Sequence, residues 1–538
     1  MSWRAGTADP AGGLAPCSTR VANLAHFLTR NARRLGAESA LIWGDRTWTW
    51  AELDARVHAL AAGLRAEHGI AKGDRILLQA RNSNQMFETM LAAFRLGAVW
   101  VPTNFRQSPD EVAWLARSSG ARLAICGAEF AAHADACEGI ARRVIIGGGG
   151  EDDYEAQLGR HAGARVADAE VARDDPCWFF YTSGTTGRPK AAVLTHGQMA
   201  FVLLSHLNDL MPGTGSADRS LCVAPLSHGA GIHQLAQLAA GAPTILLPEG
   251  PFDPEVVWRL VAAHRVTNLF TVPTIVKMLV EHPAVDAHDH SSLRYVIYAG
   301  APMYRKDQQR ALLKLGPVLV QYFGLGEVTG NITVLPPDAH DADDARMRVG
   351  SCGIERTGMR VSVQDGEGRE VAPGESGEIC VAGPAVFAGY YDNPEANAKA
   401  FRDGWFRTGD LGHMDAEGYV YLTGRESDMY ISGGSNVYPR EIEEKLLHFD
   451  GISEVAVLGV PDEKWGEVGL AVCVPEPGRT LKEDALRAYL RGAMSGYKVP
   501  ARFVFLPEMP KSGYGKITRK IIRETLRERG LLTDGTAA

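Results

Sequence analysis

Short apolar runs alternate with amphipathic stretches over roughly the first two-thirds of the chain. The apolar runs are rich in β-branched and aromatic residues: Ile76–Leu78, Ala124–Cys126, Val144–Ile146, Trp178–Tyr181, Leu221–Ala224, Thr244–Leu247, Leu269–Val272, Tyr295–Tyr298 and Val318–Phe323. The amphipathic stretches include Val21–Leu35, Leu53–Leu64, Met86–Leu96, Pro254–His264 and Thr274–Val280. Apolar strands separated by helices predict an α/β fold with two parallel-type sheets covered by helices.

The pattern changes after residue 346. Residues 350–424 contain short apolar runs separated by Gly-containing turns, which predicts a small β-rich subdomain. A compact α+β tail follows, with predicted helices at Pro439–His448, Leu481–Met494 and Ile517–Arg529, the second behind a capping box of Thr480 and Glu483. We therefore predict a large N-terminal domain over residues 1–424 and a smaller C-terminal domain over residues 425–538.

Composition and charge narrow the class of protein. Of the 538 residues, 45% are hydrophobic and 22% charged, as in globular proteins, and the net charge of −8 argues against a general nucleic-acid binder, although a local basic site stays open. We find no apolar run near the roughly 20 residues that span a bilayer, which predicts a cytoplasmic protein without integral membrane contact. The 8 cysteines form no CxxC pair, so we expect buried or free thiols instead of a zinc or disulfide framework.

The segment Tyr181-Thr-Ser-Gly-Thr-Thr-Gly-Arg-Pro-Lys190 is the strongest candidate for chemistry. It follows an apolar strand, and its glycines, Gly184 and Gly187, allow a tight turn whose N–H groups can converge on an anion. The hydroxyl groups of Thr182, Ser183, Thr185 and Thr186 add donors, and Lys190 adds a positive charge. Since Lys190 lies between Pro189 and Ala191, the loop is not a Walker A motif. It predicts a phosphate-binding loop of another kind.

This loop resembles the signature loop of the adenylate-forming superfamily of acyl-CoA synthetases, stand-alone adenylation domains and beetle luciferases. Further motifs match in the expected order from about residue 20 to 530: Tyr298–Met303, Gln321–Glu327, Trp405–Asp410, Gly424-Arg425, Ser432–Pro439 and Pro510–Lys516. The resemblance implies an enzyme that uses ATP, Mg²⁺ and coenzyme A. A carboxylate attacks the α-phosphate of ATP to give an acyl-adenylate and pyrophosphate, and a thiol then displaces AMP.

The resemblance also implies roles for individual residues. Glu327 would hold Mg²⁺, Lys516 would reach the ATP site from a mobile C-terminal domain during adenylation, and Thr182 would act beside them. ATP or AMP would be bound by the loop residues Thr182–Gly187 and Lys190 and by Gly300, Ala301, Pro302, Gln321, Tyr322, Phe323, Gly324, Asp410, Arg425 and Lys516. Coenzyme A would meet Ser432, Gly433 and Gly434, and Ser427 would be the hinge.

Three positions depart from the usual family pattern. Phe323 stands for a tyrosine, Gly326 for a threonine near the α-phosphate, and Ser427 for an Asp or Lys at the hinge. The missing hydroxyl at 326 is expected to slow catalysis more than to abolish it, because one hydrogen bond contributes about 0.5–1.5 kcal/mol in ordinary settings.

The acyl pocket is expected around His228, Gly229, Gly231, Ala299, Gly300, Leu325 and Val328. Glycine and alanine should leave room there, and His228 could contact the acid or be a satisfied interior histidine. Between Pro225 and Leu238 we find neither an Asp to pair with a substrate ammonium nor an Arg to pair with a second carboxylate. We therefore expect a medium-sized aliphatic or aromatic monocarboxylic acid as substrate.

Two other functions stay open at this point. A stand-alone adenylating enzyme that loads a carrier protein would share the first step and most of its residues. A degenerate nucleotide-binding scaffold is suggested by Phe323 and Gly326 and opposed by the retained Glu327, Asp410, Arg425 and Lys516. A monomer and a homodimer are both compatible with the sequence.

Overall fold

The computed structural model describes residues 20–140, 142–182, 188–301, 303–425, 428–433, 435–511 and 517–532. Contacts divide the chain into two compact units. The first takes its described residues from Met1–Gly250, Gly326–Thr329 and Pro384–Asn397, and the second from Pro251–Leu325, Gly330–Gly383 and Ala398–Ala538. The domain boundary expected at residues 424 and 425 stays a prediction.

The described residues of the first unit form the strands β1 Arg20–Val21, β2 Ser39–Trp43, β3 Arg46–Thr49, β4 Arg75–Gln79, β5 Val99–Pro102, β6 Leu123–Gly127, β7 Arg143–Ile146, β8 Val171–Ala172, β9 Pro176–Thr182, β10 Lys190–Thr195, β11 Ser220–Cys222 and β12 Thr244–Leu246. One sheet has the order β10-β9-β5-β4-β6-β7. It is parallel except for the antiparallel β9–β10 pair. Strands β11, β12 and β2 form a parallel ladder, to which β3 adds antiparallel.

The helices in this described part of the unit are α1 His26–Arg34, α2 Trp50–Ala66, α3 Asn84–Leu96, α4 Pro109–Ser119, α5 Ala131–Asp135, α6 Tyr154–Arg160, α7 His196–Ser205 and α8 Gly229–Ala240. Buried Leu77, Val99, Leu115 and Phe179 belong to one core cluster that joins strands of the six-stranded sheet to α4. The helix predicted over Val21–Leu35 is wrong at its start. Residues Arg20 and Val21 pair with β8, and the helix begins only at His26.

The second unit contains β13 Asn268–Thr271, β14 Tyr295–Tyr298, β15 Leu319–Phe323, β16 Thr333–Leu335, β17 Ile354–Glu355, β18 Arg360–Gln364, β19 Gly377–Ala382, β20 Phe401–Arg402, β21 Trp405–Met414, β22 Val420–Arg425, β23 Tyr430–Ser432, β24 Ser435–Val437, β25 Ile452–Asp462, β26 Gly466–Pro475 and β27 Arg502–Phe505. Strands β13–β15 are parallel, and β16 and β17 continue antiparallel. Strands β18–β22 form an antiparallel sheet, as the Gly-containing turns predicted. A last sheet has the order β24-β23-β26-β25, with β27 parallel to β26.

The remaining helices are α9 Pro254–His264, α10 Pro273–Glu281, α11 Ala284–Ala287, α12 Arg305–Leu315, α13 Pro394–Ala400, α14 Pro439–Leu447, α15 Glu483–Ala493 and α16 Arg519–Glu528. The capping box predicted at Thr480 is wrong, because α15 begins at Glu483 and Lys482 is its N-cap residue, without a side-chain cap bond. The α/β class and the smaller α+β C-terminal part are confirmed.

Two expected absences concern only the described part of the chain. None of its helices is long and apolar enough to cross a bilayer. Its cysteines, Cys126, Cys137, Cys177, Cys222, Cys352, Cys380 and Cys473, are all buried and free of disulfides.

Candidate active site

The β9–β10 hairpin presents the two ends of the predicted phosphate loop. Thr182 closes β9 and Lys190 opens β10, and the two residues are directly opposite each other in the antiparallel register. Directly paired residues project their side chains from the same face of a sheet, so the threonine hydroxyl and the lysine ammonium share one face. The loop residues Ser183, Gly184, Thr185, Thr186 and Gly187 lie outside the described residues.

The carboxylate of Glu327 is joined to this hairpin. Thr182 donates a hydrogen bond of 2.8 Å from Oγ1 to Oε1 of Glu327, and the hydroxyl of Tyr390 donates one of 2.9 Å to the same oxygen. Glu327 is 6% exposed. Since a buried carboxylate needs partners, these donors stabilise it in place. Among the described residues, both of these side-chain hydrogen bonds end on Oε1.

Tyr390 is positioned by backbone pairing along β10. The amide of Val193 donates to the carbonyl of Gly389, that of Tyr391 donates to Ala191, and Ala192 pairs with Tyr390. The ammonium of Lys190 lies 4.3 Å from the centroid of the Tyr390 ring, within cation–π range. Burial first, and the neighbouring Glu327 charge second, raise the pKa of Tyr390, so its hydroxyl remains a donor. Sequence reasoning missed this residue, because no pattern around it points to chemistry.

Gly326 is glycine because its neighbours leave no space. A Cβ built there would lie 2.6 Å from Cε1 of Phe180 and 2.9 Å from Cγ2 of Thr182. The departure from threonine at this position is therefore matched by a ring that fills the space a side chain would take. Phe180 is the other residue that sequence reasoning missed. Its only signal was its place two residues before Thr182, on the same face of β9.

Four of the predicted acyl-pocket residues lie in the first unit. His228 is half-buried and its ring stacks on Phe180, with centroids 4.5 Å apart and planes 32° from parallel. It precedes α8, whose first turn contains Gly229 and Gly231. A Cβ at Gly231 would collide with the carbonyl oxygen of Leu226 and approach Cη2 of Trp178 at 2.9 Å. The expectation that this glycine leaves room is wrong: it permits close packing. Val328 is fully buried.

In the second unit, Asp410 and Arg425 face each other across β21 and β22. Arg425 donates from Nε to Oδ1 of Asp410 at 3.0 Å. The carboxylate residue is 6% exposed, whereas the arginine side chain is 48% exposed. The Asp410 amide donates to Oγ1 of Thr408, whose hydroxyl donates to the carbonyl of Ile379. The pair is thus a fixed carboxylate beside an accessible guanidinium.

The other predicted nucleotide residues of this unit lie directly after β14, in the last residues of β15 and directly after β15. Ala299 is buried and Gly300 has a φ of +84°, which suits glycine. Gln321 Oε1 accepts from the hydroxyl of Tyr298 at 3.1 Å. The remaining ones are Ala301, Tyr322, Phe323 and Gly324, with Leu325 of the acyl set after them; Tyr322 is buried and stacks on Phe270, while the others are partly exposed.

The predicted coenzyme A residues lie at the end of β23, which Ser432 closes and Gly433 follows. Ser432 is buried. Gly433 has a φ of +56° and packs against the ring of Trp465, whose Cε3 would lie 2.8 Å from a Cβ at this position. The other predicted residues, Pro302, Ser427, Gly434 and Lys516, lie outside the described residues.

A magnesium ion fits the Glu327 site in one respect. Mg²⁺ prefers oxygen ligands and is usually held by one or two carboxylates together with substrate phosphates. Glu327 supplies one carboxylate oxygen, and the described residues contain no cluster of three His, Cys, Asp or Glu that would hold a metal without phosphates. The donor set therefore suits a metal that arrives with a nucleotide.

The chain is similar to known proteins in both sequence and structure. The family described as AMP-binding enzyme matches residues 28–391, and its C-terminal domain family matches residues 441–516. A feruloyl-CoA synthase from Amycolatopsis sp is 39% identical over 503 residues, covering 93% of this chain and 98% of the relative. An indoleacetate–CoA ligase from Aromatoleum aromaticum is 34% identical over 508 residues, with coverage of 93% and 98%. The crystal structure of ATP-bound MatB from Rhodopseudomonas palustris aligns with a TM-score of 0.84 at 30% identity, covering 94% of this chain and 99% of that one.

Proposed function

The chain belongs to the AMP-binding enzyme family and is an acid–CoA ligase, and from this premise we propose that its substrate is an aromatic monocarboxylic acid. In the reaction, the carboxylate oxygen attacks the α-phosphorus of ATP and pyrophosphate leaves, which gives an acyl-adenylate. The thiol of coenzyme A then attacks the acyl carbon, loses its proton and displaces AMP. The sequence allows medium-sized aliphatic or aromatic monocarboxylic acids, and the proposal narrows this range to the aromatic ones.

Two observations support an aromatic acid. The relatives named for feruloyl-CoA and indoleacetate act on acids that contain an aromatic ring. In this chain, the proposed acyl site has an aromatic wall, because the half-buried ring of His228 is stacked on Phe180. The absence of Asp and Arg from residues 225–238 of the sequence argues against amino acids and dicarboxylates. An aliphatic acid is the competing substrate.

The observation that carries the proposed chemistry is the shared contact of Thr182 and Tyr390 with Glu327. Two anions must meet in the first step, so charge on the phosphates has to be offset. We assign Glu327 to the metal that accompanies ATP; when bound, Mg²⁺ supplies the positive charge for the phosphate oxygens. Thr182 and Tyr390 hold the carboxylate so that it does not reorient during the reaction. Lys190 adds a second cation on the same face of the hairpin.

The ribose and the thiol are assigned to the second unit. Asp410 can accept hydrogen bonds from ribose hydroxyls, and Arg425 can contact the ribose or phosphate from the other strand. Ser432 and Gly433 are assigned to the pantetheine arm. Lys516, outside the described residues, is assigned to the first step only, as a cation delivered by a C-terminal domain that turns about Ser427.

Pyrophosphate release across a panel of acids tests this function. The panel contains hydroxycinnamic, arylacetic, medium-chain aliphatic, amino and dicarboxylic acids, each with ATP, Mg²⁺ and coenzyme A, and acyl-CoA is detected separately. We expect free acyl-CoA with aromatic monocarboxylates. Pyrophosphate release without acyl-CoA would favour a carrier protein as acceptor, and activity confined to aliphatic, amino or dicarboxylic acids would contradict the substrate proposal.

The Lys516→Ala variant separates catalysis from binding. We expect it to lose the first step while it retains ATP binding, measured by equilibrium dialysis. A variant that adenylates at the wild-type rate would contradict the role assigned to Lys516. No turnover of any acid by the wild-type protein would favour a nucleotide-binding scaffold.

A further inference from the structure

Four aromatic rings form a continuous row in the first unit. Trp100 on β5 contacts Trp178 on β9 with ring centroids 4.5 Å apart, and Trp178 lies 5.7 Å from Phe180 on the same strand. Phe180 then contacts His228, with ring centroids 4.5 Å apart and planes tilted by 32°. Because side chains alternate along a strand, Trp178, Phe180 and Thr182 share one face of β9. The row therefore connects the buried interior to the face that presents Thr182.

Phe180 is confined from the opposite direction by Gly326. A Cβ at residue 326 would lie 2.6 Å from Cε1 and 2.7 Å from Cδ1 of the Phe180 ring, closer than atoms of two residues can pack. The ring of Phe180 thus fills the space that a side chain at residue 326 would need. Since the backbone of Gly326 leads directly into buried Glu327, which accepts from Thr182, it has little freedom to move away from the ring.

Phe180 is 3% exposed, so it offers almost no surface to a substrate, whereas His228 is half-buried and borders the start of α8. An aromatic contact of this kind adds to simple burial and can favour one orientation of the imidazole over another.

We propose that Phe180 is the positioning residue of the acyl site: its ring, seated in the space that Gly326 leaves, fixes the orientation of the His228 imidazole and thereby sets the preference for aromatic acids. The inference rests on the proposed function for the identity of the substrate. Residues 180 and 326 are then coupled: the effect of a substitution at one position depends on the side chain at the other. Phe180 acts through His228, and we assign it no contact with the reacting atoms.

Two single variants and their combination test the coupling. Gly326→Ala should push the Phe180 ring out of place and raise the KM for the aromatic acid about tenfold, while Phe180→Leu should remove the stack and raise it about fivefold. In the double variant the smaller, flexible leucine can accommodate the new methyl group. We therefore expect its KM for the acid to be no higher than that of Gly326→Ala alone. The KM for ATP, measured in parallel, reports the contact that the new methyl group makes with Thr182. Simple multiplication of the two effects would overturn the proposal.

A matched control comes from Gly159 in α6, where a Cβ would meet nothing within 4 Å. Gly159→Ala should leave both KM values unchanged, which separates the effect of position 326 from the general effect of replacing a glycine. Thermal unfolding of each variant reports whether it folds.

Nuclear magnetic resonance of the histidine ring gives a readout that needs no substrate. It does not use Gly326→Ala, so it remains valid if that variant folds poorly. Stacking on Phe180 should shift the imidazole protons of His228 upfield, and Phe180→Leu should move them back downfield. The resonance is assigned by its loss in His228→Gln. An unchanged shift in Phe180→Leu would overturn the positioning role even if the wild-type enzyme acts on aromatic acids. A wild-type enzyme without such activity, but with the shift, would contradict the proposed substrate alone.

Discussion

Thr182 and Glu327 are 145 residues apart in the chain and joined by a hydrogen bond of 2.8 Å. The bond links the end of β9, at the edge of the predicted phosphate loop, to the acidic residue of a distant motif. Both residues were predicted for the site from the sequence, but their direct contact was not.

Removing the charge of Glu327 should abolish most of the first step. Glu327→Gln keeps the shape and an acceptor for Thr182 but loses the charge that a divalent cation requires. We expect pyrophosphate release to fall at least about a hundredfold and the Mg²⁺ concentration for half-maximal rate to rise. Thr182→Ser retains the hydroxyl and is the control, with a change of less than about threefold. Full activity of Glu327→Gln would contradict the metal role.

Tyr390→Phe should weaken the site without dismantling it. The variant loses one donor to Glu327 and keeps the ring that Lys190 faces. We expect a rate loss of about ten- to hundredfold in pyrophosphate release, the effect of one hydrogen bond to a charged group. Since the pKa of Tyr390 is raised, its hydroxyl should stay protonated at alkaline pH. The wild-type rate should therefore show no decline from this group up to about pH 10. A decline near pH 9 that Tyr390→Phe removes would contradict this.

Asp410→Asn should weaken nucleotide binding. The amide cannot accept from Arg425 and a ribose as a carboxylate does, so we expect the Kd for AMP to rise about tenfold. Isothermal titration calorimetry measures it. The matched control is Arg348→Gln, which breaks an exposed ion pair with Asp415 at 2.8 Å in the same unit. Exposed pairs contribute about 0–1 kcal/mol to stability, and the Kd should not change. Equal effects of both variants would argue against a ribose contact by Asp410.

The free energy of unfolding should fall as the pH drops from about 6.5 to 4. In this range His196 binds a proton in the unfolded chain but not in the folded protein. Burial lowers the pKa of His196 to about 4, against a smaller opposing effect of Asp175. Below its ordinary pKa of about 6.5 the unfolded chain binds the proton and the folded protein does not, so the free energy of unfolding decreases by about 1.4 kcal/mol per pH unit down to pH 4. Above that range the imidazole is neutral in both states, so this group adds no pH dependence to the stability.

Asparagine at position 196 tests this dependence. His196→Asn retains an acceptor for the Leu24 amide, which reaches Nδ1 of His196 at 3.4 Å, but cannot be charged. Denaturant unfolding between pH 5 and 8 should give a lower stability at neutral pH and a shallower slope in acid. Parallel pH profiles for the two proteins would show that His196 is not responsible.

Gly231→Ala should destabilise the protein by about 1–3 kcal/mol, because the added methyl group meets the Leu226 carbonyl and the Trp178 ring. Gly492, in α15, is the control, since a Cβ there would meet nothing within 4 Å. Its replacement by alanine should stabilise the helix by up to about 1 kcal/mol. Thermal unfolding compares the two. Equal melting temperatures would show that α8 can shift to accept the methyl group.

The strands of the α/β part could be predicted because they are buried on both faces, which gives continuous apolar runs such as that of β14. The start of α1 could not, because pairing of Arg20 and Val21 with a strand about 150 residues later overrides local amphipathicity. For the site, motif order predicted Thr182, Glu327, Asp410 and Arg425. Tyr390 and Phe180 escaped prediction, because each depends on a partner that only the folded chain brings near.

The two short segments Gly326–Thr329 and Pro384–Asn397 have a consequence for dissecting the protein. Each carries one of the side chains that meet at the carboxylate oxygen, Glu327 and Tyr390, and each is reached only after a long excursion of the polypeptide through the other unit. A fragment made of the first 250 residues would contain the β9–β10 hairpin but lack Glu327 and Tyr390. A fragment that follows the family match over residues 28–391 would instead keep this cluster on one polypeptide.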